Sequence, residues 1–397
     1  MKKLLILGGA RAQIPAILRA KELGYYTITC DYLPENPGHF YSDKYVNIST
    51  IDKIEVLEFA RKEKVDGVIA YASDPSAPTA AYICDELHLP GASYQVTRVL
   101  CEKDLFRRFQ KENGFLTPWF FGIKSNRDFE DMRDRIKFPC VVKPVDLSGS
   151  KGVRTIYKRE ELDRAVSEAI ELSRCKRAIV EQYIESSHDQ LHGDGIVVDG
   201  ELQFLVLGDQ RFRNSVPIGT SVPSSIDLGS MEKVVNDVKS MIRISGFRCG
   251  AINVEARVSN SGEIYIIEIG PRTGGNYIPQ LMQLSTGYDE VTASLKLAMG
   301  ENCDSYCRGK ISYCFQYIVG SEQKGRFQYI YIDEYIKKKI VKQYIHKTKG
   351  DAIEEYENSS GVVGVILLKF DSMEEMEEDI KNIKEHVKVK LEEESDV

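Results

Sequence analysis

The chain has 397 residues, 42% of them hydrophobic and 28% charged, with a formal net charge of −7. That length exceeds one ordinary compact domain and points to two or three, with the balance of a globular protein rather than a disordered one. The acidic charge argues against a nucleic-acid binder, whose footprint is basic, and no apolar run reaches the roughly 18 residues of a membrane span.

Met1-Lys2-Lys3 followed by the apolar run 4–7 has the look of a signal peptide. The run is short and breaks at Gly8-Gly9, so a buried first strand is expected instead. Ile14, Ile17, Leu18 and Leu23 are spaced for one face of a helix. Residues 26–30 read as a strand ending at Asp31, 54–60 as a helix, 65–70 as a strand and 78–87 as a helix, with a loop at Ser73-Asp74-Pro75. The alternation predicts a parallel sheet.

Beyond Lys103 the pattern changes to α+β. Residues 104–113 read as helix, 140–143 as a buried strand, 153–157 as a strand, 160–173 as a helix and 178–181 as a strand. Strands at 194–199 and 202–207 are joined by Asp199-Gly200, a hairpin signal. A helix at 230–244 precedes strands at 250–257 and 263–269 around Asn260-Ser261-Gly262. In the last ~95 residues, 311–319 and 362–370 read as strands. Residues 372–389 read as a charged helix capped by Ser372 or Asp371, and Glu392-Glu393-Glu394 as a frayed tail.

Nine cysteines, an odd number, lie scattered along the chain, many in apolar surroundings. They read as reduced core thiols of a cytoplasmic protein. Cys303 and Cys307 form a lone Cys-x3-Cys pair, a poor zinc signal. His188 and His192 have helical i, i+4 spacing but no clear helix around them, so a zinc pair is the lesser reading.

Gly8-Gly9-Ala10-Arg11 sits between strand and helix, where dinucleotide or phosphate cradles form, and Asp31 ends the second strand, where a ribose hydroxyl is often held. The third glycine of the dinucleotide fingerprint is missing, so a plain tight turn competes with a nicotinamide site. The middle section says more. Lys143 leaves a buried strand, and Ser148-Gly149-Ser150-Lys151-Gly152 follows as a strand-to-strand loop with free N–H groups, suited to closing over a polyphosphate. Glu181-Gln182-Tyr183-Ile184 ends a strand as an extended hinge that could face a flat base. Glu255 and Glu268 lie on two apolar strands of an expected antiparallel hairpin. Facing carboxylates repel unless a cation such as Mg²⁺ lies between them. Arg272 follows a turn and could clamp a phosphoryl group. The stretch 209–223, with Arg211 and Arg213, reads either as a pocket wall receiving a carboxylate or as an exposed loop.

Taken together these residues resemble the ATP-grasp superfamily of carboxylate–amine ligases, which includes biotin carboxylase, carbamoyl phosphate synthetase and purine-pathway ligases. The resemblance covers about residues 1–300. It implies a Rossmann-like pre-ATP-grasp domain at 1–100, an ATP-grasp domain at 101–300 with a nucleotide lid near 115–185, and a small C-terminal α+β domain at 301–397. It implies that ATP is held by Lys103, Lys143, the loop bearing Ser148, Gly149, Ser150 and Gly152, the hinge Glu181, Tyr183 and Ile184 with Glu181 near the adenine amine, and Asp189 at the ribose. Glu255 and Glu268 would hold Mg²⁺ or Mn²⁺, and Arg272 with Lys143 would act on the transferred phosphoryl group. Small-molecule carboxylate and amine substrates, and a homodimer, are implied as partners. The family pattern Glu-x-Asn-Pro-Arg reads here Glu268-Ile269-Gly270-Pro271-Arg272, so Gly270 leaves a gap to be filled by water, substrate or Asn276. A phosphoribosylglycinamide synthetase-like ligase and a dinucleotide-dependent oxidoreductase stand as alternatives.

Overall fold

The computed structural model describes residues 1–213, 216–305, 309–357 and 361–392. Cys307, Glu393 and Glu394 lie outside them.

The N-terminal part holds β1 (Lys3–Leu7), α1 (Ile14–Glu22), β2 (Tyr26–Cys30), β3 (Lys44–Val46), α2 (Lys53–Glu63), β4 (Gly67–Ile69) and α3 (Ala77–Leu87). Its strands pair in parallel in the order β3-β2-β1-β4. Strands covered on both faces need nearly continuous apolar runs, and the alternating sides of β1 meet that need. Leu5 and Leu7 join Ile28, Val56 and Ile83 in one cluster, while Leu4 and Ile6 pack with Ile17 and Leu295 in another. α2 starts at Asp52, whose carboxylate accepts from the Glu55 N–H at 3.1 Å.

Two helices the sequence reading did not resolve as a pair, α4 (Tyr94–Cys101) and α5 (Lys103–Glu112), lead to a second sheet. It is built from β5 (Phe120–Ile123), β6 (Cys140–Pro144), β7 (Arg154–Ile156) and β8 (Ala178–Gln182), in the order β5-β8-β6-β7, with α6 (Asn126–Arg133) and α7 (Leu162–Leu172). The Ser148–Gly152 loop joins β6 to β7, strand to strand as expected.

The central sheet has eight strands in the order β13-β12-β9-β10-β11-β14-β18-β16. These are β9 (Gln190–Val198), β10 (Glu201–Arg213), β11 (Val216–Val222), β12 (Gly250–Val258), β13 (Ile264–Gly270), β14 (Tyr313–Gly320), β16 (Ile340–Ile345) and β18 (Val362–Phe370). α8 (Leu228–Ser245) covers one face through Val234, Val238 and Met241. α9 (Ile278–Thr286) and α10 (Glu290–Ala298) cover the other through Ile278, Leu281 and Leu297. β15 (Gly325–Ile332), α11 (Glu334–Lys337), β17 (Ala352–Ile353), α12 (Met373–His386) and β19 (Val387–Leu391) complete the described chain.

Two sequence expectations need correction. The stretch 209–223 is the end of β10 and all of β11, not a loop, with a register shift at Arg211/Phe212. The helix expected over 372–389 stops at His386. Ser372 caps it as anticipated, accepting from the Glu375 N–H at 3.2 Å. From Val387 onward Val387, Val389 and Leu391 alternate with lysines, and this segment pairs with β15 instead; its period of two outweighs the charged-helix composition.

Candidate active site

The hairpin of β12 and β13 sets the centre. Glu255 and Glu268 are direct register partners across it. On β12 the period of two separates Ile252, Val254 and Ala256, which enter the core, from Asn253 and Glu255 on the other face. Plain alternation on β13 would send Glu268 to the same side as Ile264 and Ile266. A register shift next to Glu255/Ala256 prevents this, so that Ile266 and Ile269 both stay in the core while Glu268 faces Glu255.

β13 is an edge strand of the sheet, so carbonyls on its outer side lack ladder partners, and α5 supplies donors. Arg107 Nη1 donates to the Ile267 carbonyl at 2.9 Å, and Gln110 Nε2 to that of Ile266 at 2.8 Å. Arg107, 1% exposed, also donates through Nε to Glu181 on β8 at 2.9 Å. Sequence reasoning missed Arg107. Its one signal is an arginine beside Phe106 and Gln110 on a helix face that has to be buried.

Lys103 opens α5, with Nζ donating to the Leu147 carbonyl at 2.8 Å and lying 3.5 Å from Glu268. Lys143 on β6 places Nζ 2.5 Å from Glu181. Burial alone would raise the Glu181 carboxyl, but Arg107 and Lys143 outweigh it and bring it down to about 2. Glu255 goes the other way. Burial and then the neighbouring Glu268 charge push it up to about 7, against the opposing pull of Lys143, Lys103 and Arg272. Gln190 Nε2 donates to Glu255 at 2.9 Å.

Two facing carboxylates, Glu255 and Glu268, suit a hard divalent cation. Among the described residues no group of three or more His, Cys, Asp or Glu side chains could hold a metal. A cation here would therefore take two protein carboxylates and complete its shell with phosphate oxygens and water, as magnesium commonly does.

In the Ser148–Gly152 loop Gly149, Ser150 and Gly152 have φ of 65°, 59° and 71°. Positive φ suits the two glycines and strains a side chain at Ser150. The hinge after β8 begins where the Gln182 N–H donates to the Trp119 carbonyl at 2.9 Å; Ile184 is buried and Tyr183 half-buried. Both Glu181 oxygens serve cations of the protein itself. Asp189 precedes β9 and pairs with Arg211 at 2.8 Å.

Arg272 forms a bidentate pair with Asp74, Nε to Oδ1 at 2.5 Å and Nη2 to Oδ2 at 2.7 Å. Asp74 comes from the loop after β4, a part of the chain to which the sequence reading gave no role. The turn holding Arg272 is pinned from beneath. Asp194, fully buried, accepts from the Gly274 N–H at 2.8 Å and from Asn253 Nδ2 at 2.7 Å. A Cβ on Gly274 would stand 2.9 Å from Asp194 Oδ1, so the close approach needs glycine. Burial pushes the Asp194 carboxyl up to about 6.

Other candidates are not brought to this centre. Arg211 pairs with Asp189, Asp209 and Glu377, and Arg213 with Glu322. His192 lies on a strand, not a helix. Its Nδ1 meets Thr220 Oγ1 at 3.0 Å and its Nε2 meets Asn253 at 3.1 Å, a buried hydrogen-bonded histidine rather than half of a zinc pair. The Gly8-Gly9 turn is sealed by its own chain. Asp31 accepts from the N–H groups of Gly9 and Leu33 and from Asn36, and a Cβ at Gly9 would fall 2.0 Å from the His39 ring. The Asp31 carboxylate thus serves to fold its own turn. The eight cysteines among the described residues are unpaired, and no described helix is long and apolar enough to cross a membrane.

Residues 136–280 match the family model of the ATP-grasp domain. The chain is 27% identical over 273 residues to the uncharacterized protein y4rH of Sinorhizobium fredii, covering 65% of this chain and 54% of that protein. It is 23% identical over 304 residues to the carbamoyl phosphate synthase large chain, C-terminal section, of Aquifex aeolicus, covering 73% and 55%. The chain thus spans about half the length of these curated relatives. The crystal structure of an L-amino acid ligase from Bacillus licheniformis aligns over 99% of both chains with a TM-score of 0.85 and 22% identity, a likeness of fold.

Proposed function

We propose that this chain, in which residues 136–280 form an ATP-grasp domain, is an ADP-forming ligase that activates a carboxylate as an acyl phosphate for attack by an amine or similar nucleophile. The observation that carries the reading is convergence. Lys103 of α5, Lys143 of β6, Glu268 of β13 and Arg272 beyond it all bear on the charge of Glu255 of β12, and Lys103 lies 3.5 Å from Glu268. The reading divides the chain into a parallel domain at 1–100, an ATP-grasp domain at 101–300 with its lid near 115–185, and a C-terminal α+β domain at 301–397.

In this reading Lys103 and Lys143 hold phosphate oxygens, the N–H groups of the Ser148–Gly152 loop close over them, and Asp189 meets the ribose. Because the Glu181 carboxylate is engaged by Arg107 and Lys143, contact with the base falls to the backbone of residues 181–184. Glu255 and Glu268 would hold Mg²⁺, which when bound offsets the charge between phosphate oxygens. A substrate carboxylate oxygen attacks the γ-phosphorus as the bond to ADP breaks. The amine then adds to the acyl carbon, loses a proton and expels phosphate. Arg272 and Lys143 stabilise the moving charge, and no protein nucleophile is needed. The loop excludes water from the acyl phosphate. The unpaired thiols among the described residues support a cytoplasmic setting; the homodimer rests on the family resemblance alone.

A screen of ADP release over amino acids and small carboxylates, each with amine acceptors and with a phosphoribosylamine arm, tests the reading. Release should require Mg²⁺ and a carboxylate. Release independent of any carboxylate would contradict it, and a response confined to the phosphoribosylamine arm would select the purine-type alternative.

A further inference from the structure

Gly270 stands where the resembled family carries asparagine, and the structure shows what stands against it. A Cβ built on Gly270 would lie 3.1 Å from Asp74 Oδ1 and 3.4 Å from the guanidinium carbon of Arg272. The Asp74 carboxylate, arriving from the loop after β4, therefore stands against the first atom any side chain at 270 would add.

Asp74 is firmly placed there. The Ala72 N–H donates to Thr273 Oγ1 at 3.0 Å, and Gln280 Nε2 to the Tyr71 hydroxyl at 3.3 Å, so residues 71–74 are tied to the turn and helix that follow β13. Burial would raise the Asp74 carboxyl, but Arg272 first, then Lys103 and Ser148, hold it below the usual carboxylate range. Its surroundings are thus the two groups expected at phosphate and the loop expected to cover it.

Arg272 keeps further donors in this arrangement. A guanidinium has five N–H donors. Nε and one proton of Nη2 go to Asp74, and one proton of Nη1 goes to the Thr273 carbonyl at 2.9 Å. One donor on each terminal nitrogen remains unassigned, and a guanidinium fork suits a phosphoryl group.

We propose that Asp74 is a positioning residue: its carboxylate stands against Gly270 and orients Arg272 so that the remaining donors of the guanidinium meet the terminal phosphoryl group of the nucleotide. The inference rests on the nucleotide-site reading above. It makes Gly270 and Asp74 one paired feature, in which the N-terminal part of the chain supplies what β13 omits.

The test compares Mg·ADP, which lacks the terminal group, with Mg·β,γ-methylene-ATP, which has it. Asp74→Asn keeps the side-chain volume but removes the charge. It is expected to raise the Kd for the methylene analogue about tenfold or more, the scale of a charged hydrogen bond, and to leave that for ADP within about twofold. Arg272→Ala should show the same selectivity, with Asp74→Asn adding nothing in its background. A general structural role for Asp74 would instead weaken both nucleotides together. Wild-type protein that binds neither nucleotide contradicts the underlying site reading. Wild-type protein that binds both, with Asp74→Asn shifting them equally or not at all, overturns the inference alone. A second arm needs no ligand. Gly270→Asn should lower Tm in the wild type and lower it less in an Asp74→Gly background; equal losses in both backgrounds would show that the two positions do not share one space.

Discussion

Two glutamates within one site show opposite answers to burial. Glu181 sits between Arg107 and Lys143 and is held down to about 2. Glu255 faces Glu268 across a hairpin and is pushed up to about 7. The first is a completed ion cluster that ties α5, β6 and β8 together. In the second, Lys103, Lys143 and Arg272 do not offset burial and the facing carboxylate. Charges of opposite sign in contact hold the elements together, and like charges in contact mark a place for a ligand.

The largest expected effect comes from the facing pair. Glu268→Gln should abolish ATP turnover while leaving Tm nearly unchanged or raised, because it also relieves repulsion. Wild-type turnover in that variant would remove the metal assignment. The ion cluster should behave in the reverse way. Arg107→Ala strands Glu181 and the Ile267 carbonyl, and should cost about 3–5 kcal/mol in chemical denaturation. A loss under about 1 kcal/mol would show that the cluster does not hold the site together.

The pH dependence of stability separates the two glutamates further, measured on metal-free protein. Glu181 has a folded value below its unfolded one, so its contribution, on the order of 3 kcal/mol, is present above the unfolded value and lost as pH falls toward about 2. Glu255 has a folded value above its unfolded one. Its contribution is present at low pH and lost as pH rises through about 7. Glu255→Gln should therefore flatten the stability profile between about pH 5 and 8; an unchanged slope there would contradict the account of its environment. The smallest effect should come from Gln190→Leu, which removes one donor to Glu255 and is expected to shift stability by only about 1 kcal/mol.

Much of this comparison was legible before the fold was known. Glu255 and Glu268 announced themselves as acids on apolar strands around a turn, and Ser148–Gly152 as a strand-to-strand loop beyond Lys143. Local pattern carries such information because strands and turns are local. What stayed hidden depends on register and on distant chain. The bulge that turns Glu268 toward Glu255 leaves no mark in the alternation of residues 264–270. Arg107 reads as an ordinary charged helix residue until α5 is laid across that bulge. Asp74 meets Arg272 across a separation of 198 residues, which no spacing rule reaches. Arg211 is a further case: its three carboxylate partners come from separate positions in the chain, which no local pattern shows.

Calorimetric titration of the intact protein with ADP, in the presence of Mg²⁺ and in the presence of EDTA, tests the central claim most directly. The account expects binding that strengthens markedly with Mg²⁺, and Glu268→Gln protein of unchanged Tm that loses the strengthening but keeps residual metal-free binding through Lys103 and Lys143. ADP binding indifferent to Mg²⁺ in the wild type, or a Mg²⁺ effect that survives intact in Glu268→Gln, would contradict it.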